Sequence, residues 1–330
     1  MLHELNGLPE GLLALSASEL HRLLPGPTLI HLPGRESAPL FVSVLLHGNE
    51  DTGWEAMRTL LTAQAGQELP RALSLFIGNV SAAGEGLRRL PGQPDYNRIW
   101  RGGEGPEVNM AAEVQRIMAR RGVFASIDLH NNTGLNPHYA CINRLEQPFL
   151  HLATLFSRTV VYFIRPDAVQ SMAFSELCPA VTVECGKVGQ ARGVEHAREF
   201  VAAALHLNHF PEHPLSPHDY DLYHTVATVR VPPTLDFSFS DSSASLYLPP
   251  DLDSLNFREL PAGTRLAQVA DGAIQLEVRD EQGRDVAERY FANDGHYLST
   301  RLPVMPSMLT LDERVIRQDC LGYLMERLPG

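Results

Sequence analysis

Five short apolar runs punctuate the chain before residue 190: Phe41-Val42-Ser43-Val44-Leu45-Leu46, Leu73-Ser74-Leu75-Phe76-Ile77, Phe124-Ala125-Ser126-Ile127-Asp128, Val160-Val161-Tyr162-Phe163-Ile164 and Val181-Thr182-Val183. Their length and their Val, Ile and Phe content suit strands buried on both faces of a largely parallel sheet. Between them, Thr52 to Ala65, Val108 to Arg121 and Arg192 to Asn208 carry apolar residues at helical spacing with charges on the opposite face. Strand alternating with helix predicts an α/β fold: a mostly parallel, mixed sheet flanked by helices.

The pattern changes at His209-Phe210-Pro211-Glu212-His213-Pro214, where prolines end the preceding helix. A domain boundary is expected there, with residues 1–212 as the catalytic domain and residues 213–330 as a smaller, mostly β domain helping to shape the substrate entrance. Thr225 to Val231 and Ala273 to Val278 are its clearest strand candidates.

Composition narrows the function classes. A hydrophobic content of 44% over 330 residues supports a substantial core. No apolar run approaches the roughly 18 residues of a membrane span, and the start Met1-Leu2-His3-Glu4 lacks the basic residues of a secretory leader. A net charge of -12 disfavours nucleic acid and anionic membranes as partners. The four cysteines, Cys141, Cys178, Cys185 and Cys320, have neither metal-site spacing nor a disulfide framework. The expectation is a cytoplasmic protein with a small-molecule substrate; homo-oligomerisation is left open.

Chemistry gathers at the ends of the predicted strands. His47-Gly48-Asn49-Glu50 follows the first run directly, Asp128-Leu129-His130 ends the third, and Glu184 closes the fifth. Open α/β sheets place ligand sites at such strand ends. Two imidazoles and a carboxylate form a catalytic zinc set, leaving one coordination position for water. Asp128, two residues before His130, lies on the same side of an extended strand and either orients an imidazole or is a buried acid satisfied by other groups. A carboxylate ending an apolar run, as Glu184 does, is costly to bury unless paired or functional.

Together with Asp95-Tyr96-Asn97-Arg98-Ile99-Trp100 and Val183-Glu184-Cys185-Gly186, these motifs resemble, in order and separation over roughly residues 41 to 200, the succinylglutamate desuccinylase/aspartoacylase family, relatives of zinc carboxypeptidases. The resemblance implies one Zn2+ per chain held by His47, Glu50 and His130, with Glu184 as general base and acid. It implies that Asn97 and Arg98 bind a substrate carboxylate. An arginine that polarises the scissile carbonyl corresponds to Arg88 or Arg89, with Arg89 preferred. In the β domain, Phe291-Ala292-Asn293-Asp294-Gly295-His296-Tyr297 is similar to a segment whose tyrosine reaches the substrate, which nominates Tyr297. Asn131, Asn132, Thr133 and His138 follow the third ligand, either lining the pocket mouth or simply forming a turn, and His138 stays outside the metal set.

One departure bears on the substrate. Aspartoacylase carries an arginine about ten residues before its catalytic glutamate, where this chain reads Gln170-Ser171-Met172-Ala173-Phe174-Ser175-Glu176. The sequence therefore predicts a zinc-dependent amidohydrolase of N-acyl amino acids or related small acyl amides without fixing the acyl group. The rival readings are a carboxypeptidase-like hydrolase of short peptides and a non-catalytic metal-binding protein on the same fold.

Overall fold

A computed structural model describes residues 1–211 and 213–328. The chain divides into two compact units. The first comprises Met1–Asn131 and His138–Asp221; the second holds Asn132–Pro137 and the residues from Leu222 onward. The boundary expected after residue 212 falls on a residue outside those described.

In the first unit the elements are β1 (His3–Asn6), β2 (Thr28–Leu32), β3 (Gly34–Val44), α1 (Thr52–Ala63), β4 (Leu69–Ile77), α2 (Val80–Gly84), α3 (Pro106–Arg120), β5 (Ala125–Asn132), β6 (Tyr139–Ile142), α4 (Gln147–Phe156), β7 (Thr159–Tyr162), α5 (Gln170–Phe174), β8 (Ala180–Lys187) and α6 (Ala191–His206). The strands lie side by side in the order β1-β2-β4-β3-β5-β8-β6-β7. The pairs β1/β2, β3/β4, β3/β5 and β6/β7 are parallel, while β2/β4 and β6/β8 are antiparallel. This is the expected α/β fold with a mixed, mostly parallel sheet.

Burial explains the continuous apolar runs. All eight residues of β5, for example, are buried, as are the last six of β3. A strand covered on both faces has no solvent side on which to alternate. Helices close against it where side chains are small: a Cβ added to Gly53 on α1 would come within 2.8 Å of Leu129 Cβ, and one on Gly193 of α6 within 2.3 Å of the Cys185 carbonyl oxygen.

The first run was expected to remain a strand through Leu46, but β3 ends at Val44. Leu45 adopts φ +56, a left-handed conformation that few non-glycine residues take. Its carbonyl accepts a hydrogen bond from Asn79 N–H at 2.6 Å, while Val44 O accepts from Gly78 N–H at 3.0 Å. The chain therefore leaves the sheet two residues early, and His47 enters a turn in which Glu50 N–H donates to His47 O at 3.2 Å.

The second unit contains β9 (Asp221–Arg230), β10 (Phe237–Ser238), β11 (Leu246–Tyr247), β12 (Arg265–Val269), β13 (Glu277–Asp280), α7 (Ala287–Tyr290), β14 (Phe291–Asn293), β15 (Tyr297–Thr300), β16 (Met305–Ser307), α8 (Glu313–Gln318) and β17 (Gly322–Arg327). Strand β9 pairs antiparallel with both β13 and β17, and β16 pairs with β17. A separate five-stranded sheet runs β10-β11-β12-β15-β14. Leu246, Leu248, Val278, Tyr290, Leu298 and Leu324 belong to its shared core. The strand expected at Ala273 to Val278 begins only at Glu277, because Asp271 folds the preceding residues into a turn, its Oδ1 accepting from Ala273 N–H and its carbonyl from Ile274 N–H.

Candidate metal centre

His47, Glu50 and His130 are all buried, and one potential ligand atom from each lies within 4.8 Å of the others. His47 Nδ1 sits 2.8 Å from Glu50 Oε1, and His130 Nδ1 sits 2.8 Å from Glu50 Oε2. The far side of each ring is held by another carboxylate. His47 Nε2–H donates to Asp95 Oδ1 at 3.1 Å, and His130 Nε2–H donates to Asp128 Oδ2 at 2.8 Å. With a metal ion bound, a carboxylate on Nε2 would keep the ring proton there and leave the Nδ1 lone pair for the ion. The donor set thus fits a divalent cation that accepts nitrogen and oxygen ligands.

Close backbone packing positions His47 and Glu50. A Cβ on Gly48 would stand 2.3 Å from Ala83 N and 2.4 Å from Ala82 C, so only glycine lets the ligand loop lie this close to α2. Gly48 N–H donates to Arg88 O at 3.1 Å, and Asn131 N–H donates to Glu50 Oε2 at 3.1 Å. Register aligns Ser43 of β3 with Asp128 of β5, and Ser43 Oγ–H donates to Asp128 Oδ1 at 2.6 Å. Asp128 therefore orients His130, the first of its two expected roles.

Electrostatics follow from burial and from these pairs. Burial by itself would depress the His130 imidazole, but Asp128 and Glu50 overcome it and hold the ring well above the ordinary histidine range. For Glu50 and Asp95 burial acts upward, and the neighbouring imidazoles, joined at Asp95 by Arg88, carry both carboxyls below the usual range. Glu184 behaves oppositely: burial on β8 pushes its carboxyl up to about 7.

The loop carrying Asn97 and Arg98 is anchored on both sides. Trp100 Nε1–H donates to Tyr96 O at 2.7 Å, Trp100 N–H donates to Ala168 O at 3.0 Å, and the indole packs edge-on against Phe76 and Phe174. Asn97 Nδ2 lies 3.2 Å from His130 Nε2, and its Oδ1 accepts from Gln170 N–H at 3.0 Å. Arg98 Nη1–H donates to Asn97 O at 2.9 Å.

The two arginines considered for the scissile carbonyl lie in different surroundings. Arg88 donates from Nε and Nη2 to Asp95 Oδ2, at 3.2 and 2.9 Å, and brings Nη1 to 3.6 Å from Glu50 Oε1. Arg89 instead turns Nη1 toward Gln93 O at 3.4 Å. The backbone bond from Gly48 N–H to Arg88 O holds residue 88 beside the loop that carries His47 and Glu50. Tyr297 lies on β15 in the second unit, with the Arg265 guanidinium 4.0 Å over its ring. Asn131 is a buried structural polar group, its Nδ2 donating to Thr52 Oγ1 and Gly186 O, and His138 stacks on Phe156.

Sequence reasoning assigned no role to Asp95 or Ser43. Their signals were an acid two residues ahead of Asn97 and a hydroxyl inside an otherwise apolar strand, both needing buried partners.

The fold and this His-Glu-His arrangement define a class of α/β protein with a metal-type centre at the strand ends. Residues 39–209 match the family described as the succinylglutamate desuccinylase/aspartoacylase catalytic domain, and the chain belongs to that family. Comparison with curated proteins found no match. Among solved structures, the succinylglutamate desuccinylase from Chromobacterium violaceum is similar at 20% identity, with a TM-score of 0.56 over 89% of this chain and 86% of that one. Murine aminoacylase 3 is similar at 17% identity, with a TM-score of 0.57 over 89% and 96%. The ectoine utilization protein EutE (DoeB) from Ruegeria pomeroyi gives 16%, 0.56, 84% and 82%. At these identities the likeness is one of fold. Among the described residues, no helix is long and apolar enough to cross a membrane.

Proposed function

We propose that this protein is a zinc-dependent hydrolase that cleaves the amide bond of an N-acyl amino acid or a related small acyl amide. The observation that carries the reading is the convergence of both imidazole Nδ1 atoms on the Glu50 carboxylate, each ring backed by its own acid. His47, Glu50 and His130 would hold the ion, which supplies Lewis acidity toward the scissile carbonyl and toward water. Glu184 takes the proton from the attacking water and delivers it to the leaving nitrogen. A carboxyl raised to about 7 is matched to exchanging protons near neutrality. Arg88 offers N–H donors to the oxygen that gains charge as the carbonyl is attacked. Asn97 and Arg98 orient the substrate carboxylate, for which a planar guanidinium is suited.

The test joins metal content to activity. Wild type and His47→Ala would be measured by elemental mass spectrometry, and the same samples assayed on N-acetyl and N-succinyl amino acids and on dipeptides. About one zinc per chain, lost with acyl-amide hydrolysis in the variant, supports the proposal. Turnover confined to dipeptides would favour the carboxypeptidase-like reading, and a zinc-loaded wild type inert on the whole panel would favour a binding protein.

A further inference from the structure

We infer that Asp95 is the positioning residue that couples the metal ligand His47 to Arg88, so that one carboxylate sets both the presentation of the first ligand and the placement of the oxyanion donor. The inference rests on the hydrolase reading for its activity arm only. Asp95 Oδ1 accepts from His47 Nε2–H at 3.1 Å and from Asn97 N–H at 2.8 Å. Oδ2 accepts from Arg88 Nε–H at 3.2 Å and Nη2–H at 2.9 Å. Both partners are largely enclosed, with side chains 14% exposed for Asp95 and 13% for Arg88, so bulk water supplies little substitute solvation.

The division of labour between the oxygens makes the coupling specific. Each points at a different machine, and only a carboxylate can accept on both sides. Asp128 is the natural contrast: its oxygens go to His130 Nε2 and Ser43 Oγ, so it orients a ligand without engaging the arginine. Through Asp95, by contrast, a displacement of Arg88 transmits to His47. The backbone bond from Gly48 N–H to Arg88 O ties the two segments a second time.

Asp95→Asn separates these roles. An asparagine has one acceptor oxygen and one amide nitrogen that only donates. Whichever way it turns, either His47 Nε2–H or the Arg88 guanidinium faces a donor. Asp95→Glu keeps the charge and both acceptors. Zinc affinity is read by competition with a chromophoric chelator, and kcat and KM on the best N-acyl amino acid, for these variants and for Asp128→Asn, each with and without Arg88→Met.

Asp95→Asn is expected to weaken zinc binding about 10- to 100-fold, with Asp95→Glu recovering part of the loss. In the wild-type background Arg88→Met should lower kcat about 10²- to 10³-fold. In Asp95→Asn the same substitution should cost only a few-fold, because the guanidinium is already released, whereas in Asp128→Asn it should keep its full effect. Unchanged zinc affinity in Asp95→Asn would overturn the inference. Equal losses in the Asn and Glu variants, or an Arg88→Met factor identical in all backgrounds, would overturn it as well. The zinc arm needs no substrate: wild type that binds zinc but hydrolyses nothing refutes the hydrolase reading while leaving the ligand-orienting half of the inference to be judged on affinity alone.

Discussion

Replacing Gly48 with alanine should damage the ligand loop more than any chemically milder change near it. The added Cβ would lie 2.3 Å from Ala83 N, 2.4 Å from Ala82 C and 2.7 Å from Leu87 O, all backbone atoms. Carbon reaches favourable contact with such atoms only at about 3.5 Å or more, so one backbone must retreat by roughly 1 Å. Overpacking of this kind costs about 1–3 kcal/mol, and the upper end applies because no flexible side chain can yield. If the ligand loop moves, His47 and Glu50 shift together, and about 3 kcal/mol appears as a loss of roughly two decades in zinc affinity. If α2 moves instead, the same cost appears as lowered thermal stability of the metal-free protein. Both would be measured, by chelator competition and by calorimetry, with Gly26→Ala as the control, since the nearest atom to its added Cβ, His3 Cδ2, stands at 4.0 Å. A Gly48→Ala protein with wild-type zinc affinity and an unchanged melting temperature would refute the packing argument.

Glu184→Gln should retain zinc and lose hydrolysis by about 10²- to 10⁴-fold, read from metal content and kcat on one preparation; near-normal turnover would remove Glu184 from the proton path. Arg71→Ala should lower stability by about 3 kcal/mol or more in urea unfolding, because the buried guanidinium donates to Ala38 O and Leu207 O and lies 3.7 Å over the Phe124 ring. A midpoint within experimental error of wild type would show those carbonyls to be satisfied otherwise. All four cysteines are buried, and burial raises the thiols of Cys141, Cys178 and Cys185 above the ordinary range. A thiol reagent at pH 8 should label none rapidly in the folded protein and all four after denaturation; fast labelling of the native state would contradict their enclosure.

Much of the first unit was legible because its strands are buried on both faces and so print themselves as unbroken apolar runs. Position at a predicted strand end made His47, His130 and Glu184 candidates before any contact was known, although β5 runs on to Asn132 and β8 to Lys187, which places His130 and Glu184 inside their strands. Legibility failed where geometry depends on partners remote in sequence. Spacing alone could not show that residue 88, rather than residue 89, is tied by a backbone bond to Gly48, 40 residues earlier. The role of Asp95 was hidden for a related reason: an acid in a polar run reads as surface until a fold surrounds it with an imidazole and a guanidinium. In the second unit, Ala273 to Leu276 had strand-like composition, but Asp271 offers local hydrogen bonds that a strand cannot match.

The chain crosses between its two units after Asn131, after Pro137 and after Asp221. Within the second unit the short excursion is firmly held: Leu135 N–H donates to Asp253 Oδ2 at 3.1 Å, Asn136 Oδ1 accepts from Met308 N–H at 3.0 Å, and a Cβ on Gly134 would collide with Leu309 O. That excursion begins two residues after His130. The second unit is consequently no detachable appendage. Cutting the gene after Asp221 would strip the six residues from Asn132 to Pro137, which follow His130 so closely in the chain, of the partners that hold them.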